Sequence, residues 1–128
     1  MRIVSAMLLA VLTTILGLHP ADAADKTLKA ADLKELLGNG KTLALGGKGM
    51  GYTGTLNLSA DGKGEGSAKT DGGDVITISG TWHIQGDKFC RTWAGLDKGK
   101  EVCETWRLTS PNHVDVFQGK KKIGANSW

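Results

Sequence analysis

The stretch Ile78–Trp93, "ISGTWHIQGDKFCRTW", holds the clearest strand pattern of this 128-residue chain. Between Ile76 and Ile84, large apolar side chains and one glycine alternate with threonine, serine and histidine, which is typical of a strand with one buried face. Gly86-Asp87 is a turn signal, and "KFCRTW" follows it as a second strand. The stretch therefore predicts a β-hairpin.

The only two cysteines, Cys90 and Cys103, flank the turn-like segment 94–99, "AGLDKG". A hairpin with Cys90 opposite Cys103 allows a cross-strand disulfide and makes Arg91 a diagonal neighbour of Glu104, which predicts an ion pair. A metal site would need more ligands, and a redox pair usually has Cys-x-x-Cys spacing. We therefore predict a structural disulfide, with a redox-labile bond as the alternative.

The N-terminus has the three parts of a secretory signal peptide. Arg2 precedes an apolar run from Ile3 to Leu18, and the small-residue site Ala21-Asp22-Ala23 follows. The run is shorter than the roughly 20 residues that span a bilayer. We expect residues 1–23 to be removed, no membrane span after cleavage, and a periplasmic or secreted location. The alternative is an uncleaved membrane anchor.

Residues 24–128 suffice for one domain, which we expect to be monomeric. The formal net charge of +3 is mild, and together with the export signal it argues against nucleic-acid binding. The run from Gly119 to Lys122, "GKKK", is interpreted as a solvated turn. Contact with an anionic surface is the alternative for this run.

Short strands and tight turns fill most of the remaining sequence. Residues 28–40, "LKAADLKELLGNG", have apolar side chains at helical spacing, with Gly38 at the C-terminal cap position. Turn signals at 61–62, 71–73 and 110–113 then separate alternating segments. The chain is predicted to be all-β, mainly antiparallel. The expected fold is a small seven- to eight-stranded barrel or sandwich with one short N-terminal helix.

Three segments carry a family resemblance: "LKELLGNGKTLAL", "GTLNLSADGKGEG" and "SGTWHIQGDKFCRTW…VCETWRL". Together they resemble a family of small exported proteobacterial β-barrel proteins of unknown function. The shared pattern is a short helix, an Asp-Gly hairpin, a Gly-Thr-Trp strand, a Gly-Asp turn and two cysteines, from about Leu33 to Leu108. The resemblance implies the barrel and the export, and it supplies no catalytic or binding residue.

Motifs for catalysis are sparse. His83 and His113 are the two histidines outside the predicted signal peptide, and neither Gly-x-Ser-x-Gly nor His-Glu-x-x-His occurs. Glu101 and Glu104 are three residues apart, which places them on opposite faces of a strand. We predict no enzymatic activity, no catalytic residue, no metal and no cofactor. A hydrolase that uses His83 or His113 is the alternative.

Four tryptophans are many for this length. Trp82 and Trp106 alternate with apolar side chains, so we expect them in the core. Trp93 ends its strand beside a loop, and partial exposure is expected. Trp128, the last residue, either packs over a barrel end or acts as a docking tail.

These features predict a non-enzymatic binding module for an envelope protein partner or a small ligand, with inhibition of a protease or lysozyme as an alternative. The candidate contact residues are Tyr52, Trp93, Phe117 and Trp128. A small ligand predicts an open cavity near Tyr52, Trp93 or Phe117. A protein partner predicts a filled interior and an exposed apolar or charged patch.

Overall fold

Nine antiparallel strands and one helix follow one another along residues 25–128, the part of the chain that the computed structural model describes. The predicted signal peptide lies outside the described residues. No helix in the described part is long and apolar enough to cross a membrane. The elements are β1 (Lys26–Thr27), α1 (Ala30–Leu37), β2 (Lys41–Gly47), β3 (Tyr52–Leu58), β4 (Lys63–Thr70), β5 (Val75–Gln85), β6 (Lys88–Trp93), a short 3-10 turn (Asp97–Gly99), β7 (Val102–Ser110), β8 (His113–Gln118) and β9 (Lys121–Ser127).

Strands β2 to β9 close into an eight-stranded barrel. Each strand pairs with its neighbour in sequence, and β9 pairs back onto β2 through Ala44 with Ser127 and Leu45 with Asn126. The predicted all-β fold with one short helix is confirmed, and of the two architectures considered the barrel is the observed one. Strand β1 lies outside the closed barrel and pairs with β7.

The two ends of the barrel differ. The antiparallel order places the connections 59–62, 86–87 and 111–112 at one end, which also carries α1 and which we call the helix end. The connections 48–51, 71–74, 94–101 and 119–120 lie at the other end, which we call the mouth.

Helix α1 covers the helix end. The helix starts after Lys29, whose backbone N–H donates to the Asp32 carboxylate at 2.8 Å, and this bond lowers the pKa of Asp32. Leu33 and Leu37 face the barrel and are fully buried. The backbone N–H of Ala30 donates to the Asp87 carboxylate at 2.8 Å, which ties the helix to the turn between β5 and β6.

Aromatic rings fill the barrel next to the helix. Phe89 lies between Trp82 and Trp106, with ring centroids 5.7 Å and 4.8 Å away, respectively. Trp106 has no exposed surface, and Trp82 is 8% exposed, so the prediction that both belong to the core is confirmed. The indole N–H of Trp82 donates to the backbone oxygens of Ser59 and Lys63, both at 3.1 Å.

Trp93 is also buried, with 4% exposure, so the expectation of partial exposure is wrong. Its ring lies against two inward-facing glycines. A Cβ atom on Gly64 would come within 2.5 Å of the Trp93 ring, and one on Gly80 within 3.0 Å. The two glycines therefore provide the space in which the indole is buried.

The predicted cysteine hairpin is confirmed. Cys90 pairs with Cys103 across β6 and β7, and their sulfurs form a disulfide. The same register pairs Phe89 with Glu104 and Arg91 with Val102. Because side chains alternate along a strand, the disulfide lies on the outer face and Arg91 projects into the barrel.

Removing this disulfide is expected to lower the free energy of unfolding by about 3 kcal/mol, because the bond closes a loop with a sequence separation of 13. The test is guanidinium denaturation of the oxidised protein and of the Cys90→Ala/Cys103→Ala variant. An unchanged midpoint would show that the bond adds nothing to stability.

Candidate ligand-binding site

A cavity of about 440 Å³ opens at the mouth of the barrel. This volume lies within the range of about 300–1,000 Å³ that is usual for small-molecule sites. Apolar side chains of β2 to β5 line one side of the cavity, whereas polar and apolar side chains of β6 to β9 and of the loop 94–101 share the other side. The lining residues are Leu45, Tyr52, Leu56, Ala68, Ile76, Ile78, Phe89, Arg91, Trp93, Leu96, Asp97, Glu104, Val116, Gln118, Lys121, Ile123, Gly124 and Asn126.

Small residues on the inner face of β4, with Gly54 beside them on β3, leave room for the cavity. Gly54, Gly64, Gly66 and Ala68 face the interior, where other strands carry leucine, isoleucine or tryptophan. The space beside Gly64 is taken by Trp93, whereas Ala68 lines the cavity. A strand face of small residues opposite large ones leaves room that no side chain fills.

The Tyr52 ring lies across the mouth, in space that two glycines leave free. A Cβ atom on Gly46 would come within 2.9 Å of the Tyr52 ring, and one on Gly124 would collide with the hydroxyl. The hydroxyl accepts a hydrogen bond from the backbone N–H of Ala125 at 3.2 Å. Because that bond uses an oxygen lone pair, the O–H of Tyr52 can still donate to a ligand.

A charged network forms the polar part of the wall. Arg91 Nε donates to Glu104 Oε2 at 2.9 Å, and Arg91 Nη1 donates to Asp97 Oδ2 at 2.6 Å. The Arg91 and Glu104 side chains are 13% and 8% exposed, whereas that of Asp97 is 43% exposed. The ion pair predicted between Arg91 and Glu104 is therefore confirmed, and it is buried.

Both carboxylate oxygens of Glu104 are engaged, because Oε1 accepts a hydrogen bond from the Trp106 indole at 3.0 Å. Burial raises the pKa of Glu104, and the charge of Arg91 and the Trp106 bond oppose that rise. Burial alone would lower the pKa of Arg91, but the carboxylates of Glu104 and Asp97 raise it. Perturbed charged groups in a cavity are typical of functional sites.

The loop 94–101 brings Asp97 to the mouth. Asp97 and Lys98 have φ angles of +52° and +56°, a left-handed conformation that costs about 1–2 kcal/mol for each residue that is not glycine. Gly95 and Gly99 flank them with φ angles of +83° and +69°. This segment, predicted as a turn, therefore has a strained centre between two flexible glycines.

The four candidate contact residues separate into two pairs. Tyr52 and Trp93 line the cavity. Phe117 follows the cavity-lining Val116 on β8 and so faces outward. Trp128 lies at the helix end, where its backbone N–H donates to the oxygen of Asn112 at 3.1 Å. Its side chain is partly buried against the core, as the alternative of packing over a barrel end proposed.

Sequence reasoning missed Asp97, Lys121 and Asn126 as cavity residues. Asp97 depends on the left-handed loop, for which the sequence offers only the flanking glycines as a signal. Asn126 could have been found, because it alternates with Gly124 on β9 and is 8% exposed despite its amide. A polar side chain at an inward-facing position near the end of a strand indicates a candidate cavity residue.

The two described histidines lie outside the cavity. His83 projects from the outer face, with its Nε2 3.9 Å from Glu101, and these two residues cluster with the sulfur of Cys90. That sulfur is bonded to Cys103, so no thiolate is available as a metal ligand. His113 Nε2 lies 3.3 Å from Asp115 beside the turn between β7 and β8.

The fold and the site together define a small closed β-barrel with a ligand-sized cavity at one end. Comparisons with known protein families, with curated proteins and with solved structures found no match for this chain. Membership of the exported proteobacterial family therefore stays a prediction.

Proposed function

We propose that this protein is an exported, non-enzymatic binding protein that takes one small ligand with an apolar body into the mouth of its barrel. The observation that carries the proposal is the cavity of about 440 Å³ with its largely apolar wall. A space of this size is large enough to hold several water molecules. A ligand that displaces them gains by removing apolar surface from water.

The small amount of exposed apolar surface favours a small ligand over a protein partner. Protein interfaces usually have an exposed apolar centre. Within residues 25–128, Val75 is the one large apolar side chain found mostly exposed, at 70%. An inhibitor of a protease or lysozyme would need an exposed apolar surface of this kind to contact its target enzyme. The cavity instead supports binding of a small ligand.

The chemistry of the cavity supports binding without catalysis. The oxygens of Glu104 are both engaged by donors, and Arg91 is held in its charged form. A hydrolase built on His83 or His113 would have to act on the outer face of the barrel, away from the cavity. The disulfide supports an oxidising location such as the periplasm or the outside of the cell.

The uncharged fluorophore N-phenyl-1-naphthylamine tests this proposal, because its emission rises in an apolar site. We expect saturable binding to the native protein. Ala68→Leu should weaken binding by about 2 kcal/mol, or roughly thirtyfold, because its three added carbons occupy the cavity. Fluorescence titration gives the dissociation constants, and thermal unfolding checks that each variant is folded.

The matched control is Ser67→Leu, which adds a leucine on the outer face of the same strand. This variant should bind the fluorophore as the native protein does. The proposal fails if the native protein shows no saturable signal, or if both leucine variants bind equally well.

A further inference from the structure

Arg91 and Tyr52 keep hydrogen-bond donors that their bonds to other described residues do not use. A guanidinium has five N–H groups, and Arg91 uses one on Glu104 and one on Asp97. The remaining N–H bonds of its two Nη atoms and the O–H of Tyr52 can donate to a ligand. Lys121 adds positive charge to the lining. A ligand that fits must therefore bring acceptors, and a planar carboxylate matches the guanidinium best.

The two carboxylate partners of Arg91 are held differently. Glu104 is buried and bonded on both oxygens, so it is a permanent partner. Asp97 is 43% exposed and extends from a loop, so it can move into water when another anion takes its place. Such an exchange leaves Arg91 with two carboxylates and buries no additional unpaired charge.

The geometry points to a ligand with a single carboxylate head and an apolar tail, the head bound by Arg91 in the place of the Asp97 carboxylate. Asp97 is then an internal competitor for the Arg91 guanidinium. This inference rests on the proposed function, since it names the ligand class of the same cavity.

The backbone of the loop agrees with this role. Asp97 and Lys98 are both left-handed without being glycine, and Asp97 is the loop residue that bonds to Arg91. The backbone N–H groups of Gly99 and Lys100 donate to the oxygens of Leu96 and Asp97 at 2.9 Å and 3.0 Å and hold this turn, so the Asp97 side chain can leave Arg91 while the turn keeps its conformation.

Three amphiphiles with the same tail test the head group: decanoate, decan-1-ol and decylamine. Each is titrated into the full mature protein at neutral pH and low ionic strength, below its micelle or solubility limit, by displacement of N-phenyl-1-naphthylamine. We expect decanoate to bind on the order of tenfold more tightly than decan-1-ol, because its bonds to Arg91 are charge-assisted. Decylamine should bind most weakly.

The variant Asp97→Asn tests the competition. It removes the competing charge and should tighten decanoate binding by about threefold, the effect of an exposed ion pair. Binding of decan-1-ol should not change. The control is Asp71→Asn, which makes the same change of net charge on another mouth loop and should leave both ligands unaffected.

The outcomes separate the two proposals. If N-phenyl-1-naphthylamine itself does not bind, the proposed function fails together with this inference. If the fluorophore binds and none of the three amphiphiles displaces it, the inference alone is overturned. If all three bind alike, or if decylamine binds best, the cavity binds small ligands but Arg91 does not select a carboxylate. If Asp97→Asn leaves decanoate binding unchanged or weakens it, Asp97 is not a competitor and the inference is overturned.

Discussion

Replacing Arg91 by methionine is expected to lower the free energy of unfolding by about 3–5 kcal/mol, because Glu104 would be left as a buried carboxylate without its ion-pair partner. Only the indole of Trp106, among the described side chains, would still donate to it. Denaturation in guanidinium at pH 7.5 measures the loss. A loss of less than 1 kcal/mol would mean that the pair is not buried in solution.

The matched control is the double variant Arg91→Met/Glu104→Gln, in which the carboxylate is replaced by a neutral amide of the same shape. It should recover most of the lost stability, because a pair removed together leaves no unpaired charge. If the stability losses of Arg91→Met alone and of Glu104→Gln alone sum to the loss of the double variant, a direct interaction between the two residues is contradicted.

The loss in Arg91→Met should also depend on pH. Burial already raises the pKa of Glu104, and removing the charge of Arg91 raises it further. A carboxyl whose pKa is higher in the folded state supports folding fully below its unfolded pKa of about 4.3, and this support is lost as the pH rises through the folded pKa. The deficit should therefore be smaller at pH 5 than at pH 8. An equal deficit at both would contradict this assignment.

Truncation of Trp106 to alanine is the second large effect, with an expected loss of about 3–5 kcal/mol. Trp106 has no exposed surface and packs on Phe89, so the substitution leaves a cavity that neighbouring strands cannot close. It also removes the donor to Glu104 Oε1. Chemical denaturation again gives the magnitude.

Two comparisons divide this loss into its causes. Trp106→Phe keeps an aromatic ring next to Phe89 but removes the N–H, so its loss should be about 1–3 kcal/mol, the usual effect of an unsatisfied buried acceptor. Trp128→Ala, at a partly buried terminal position, should lose less than either. A Trp106→Ala loss no greater than that of Trp128→Ala would contradict the buried position of Trp106.

The hairpin could be predicted from the sequence because its pattern is local. Alternation through β5 defines the buried face, and one possible disulfide fixes the register of β6 against β7. Closure into a barrel could not be predicted in the same way. It depends on Ala44 and Leu45 pairing with Ser127 and Asn126, some eighty positions away, and no local pattern specifies such a contact.

The candidate site was predicted in part for a related reason. Tyr52 lines the cavity, whose position near this residue the small-ligand hypothesis predicted, and the pairing of Arg91 with Glu104 followed from the hairpin register. The burial of Trp93 was not foreseen, because it depends on glycines of two other strands. Asp97 was missed because its position depends on two consecutive left-handed residues, Asp97 and Lys98, a conformation that only the flanking glycines signal in the sequence.

Nuclear magnetic resonance contacts between bound decanoate and two neighbouring residues of β5 test the cavity most directly. Ile76 lines the cavity, whereas Val75 faces outward and is 70% exposed. If the tail enters the barrel, the chain protons of decanoate should show contacts to the methyl groups of Ile76 and Ala68 and none to Val75. Contacts to Val75 without contacts to Ile76 or Ala68 would place the ligand outside the barrel and contradict the proposed binding site.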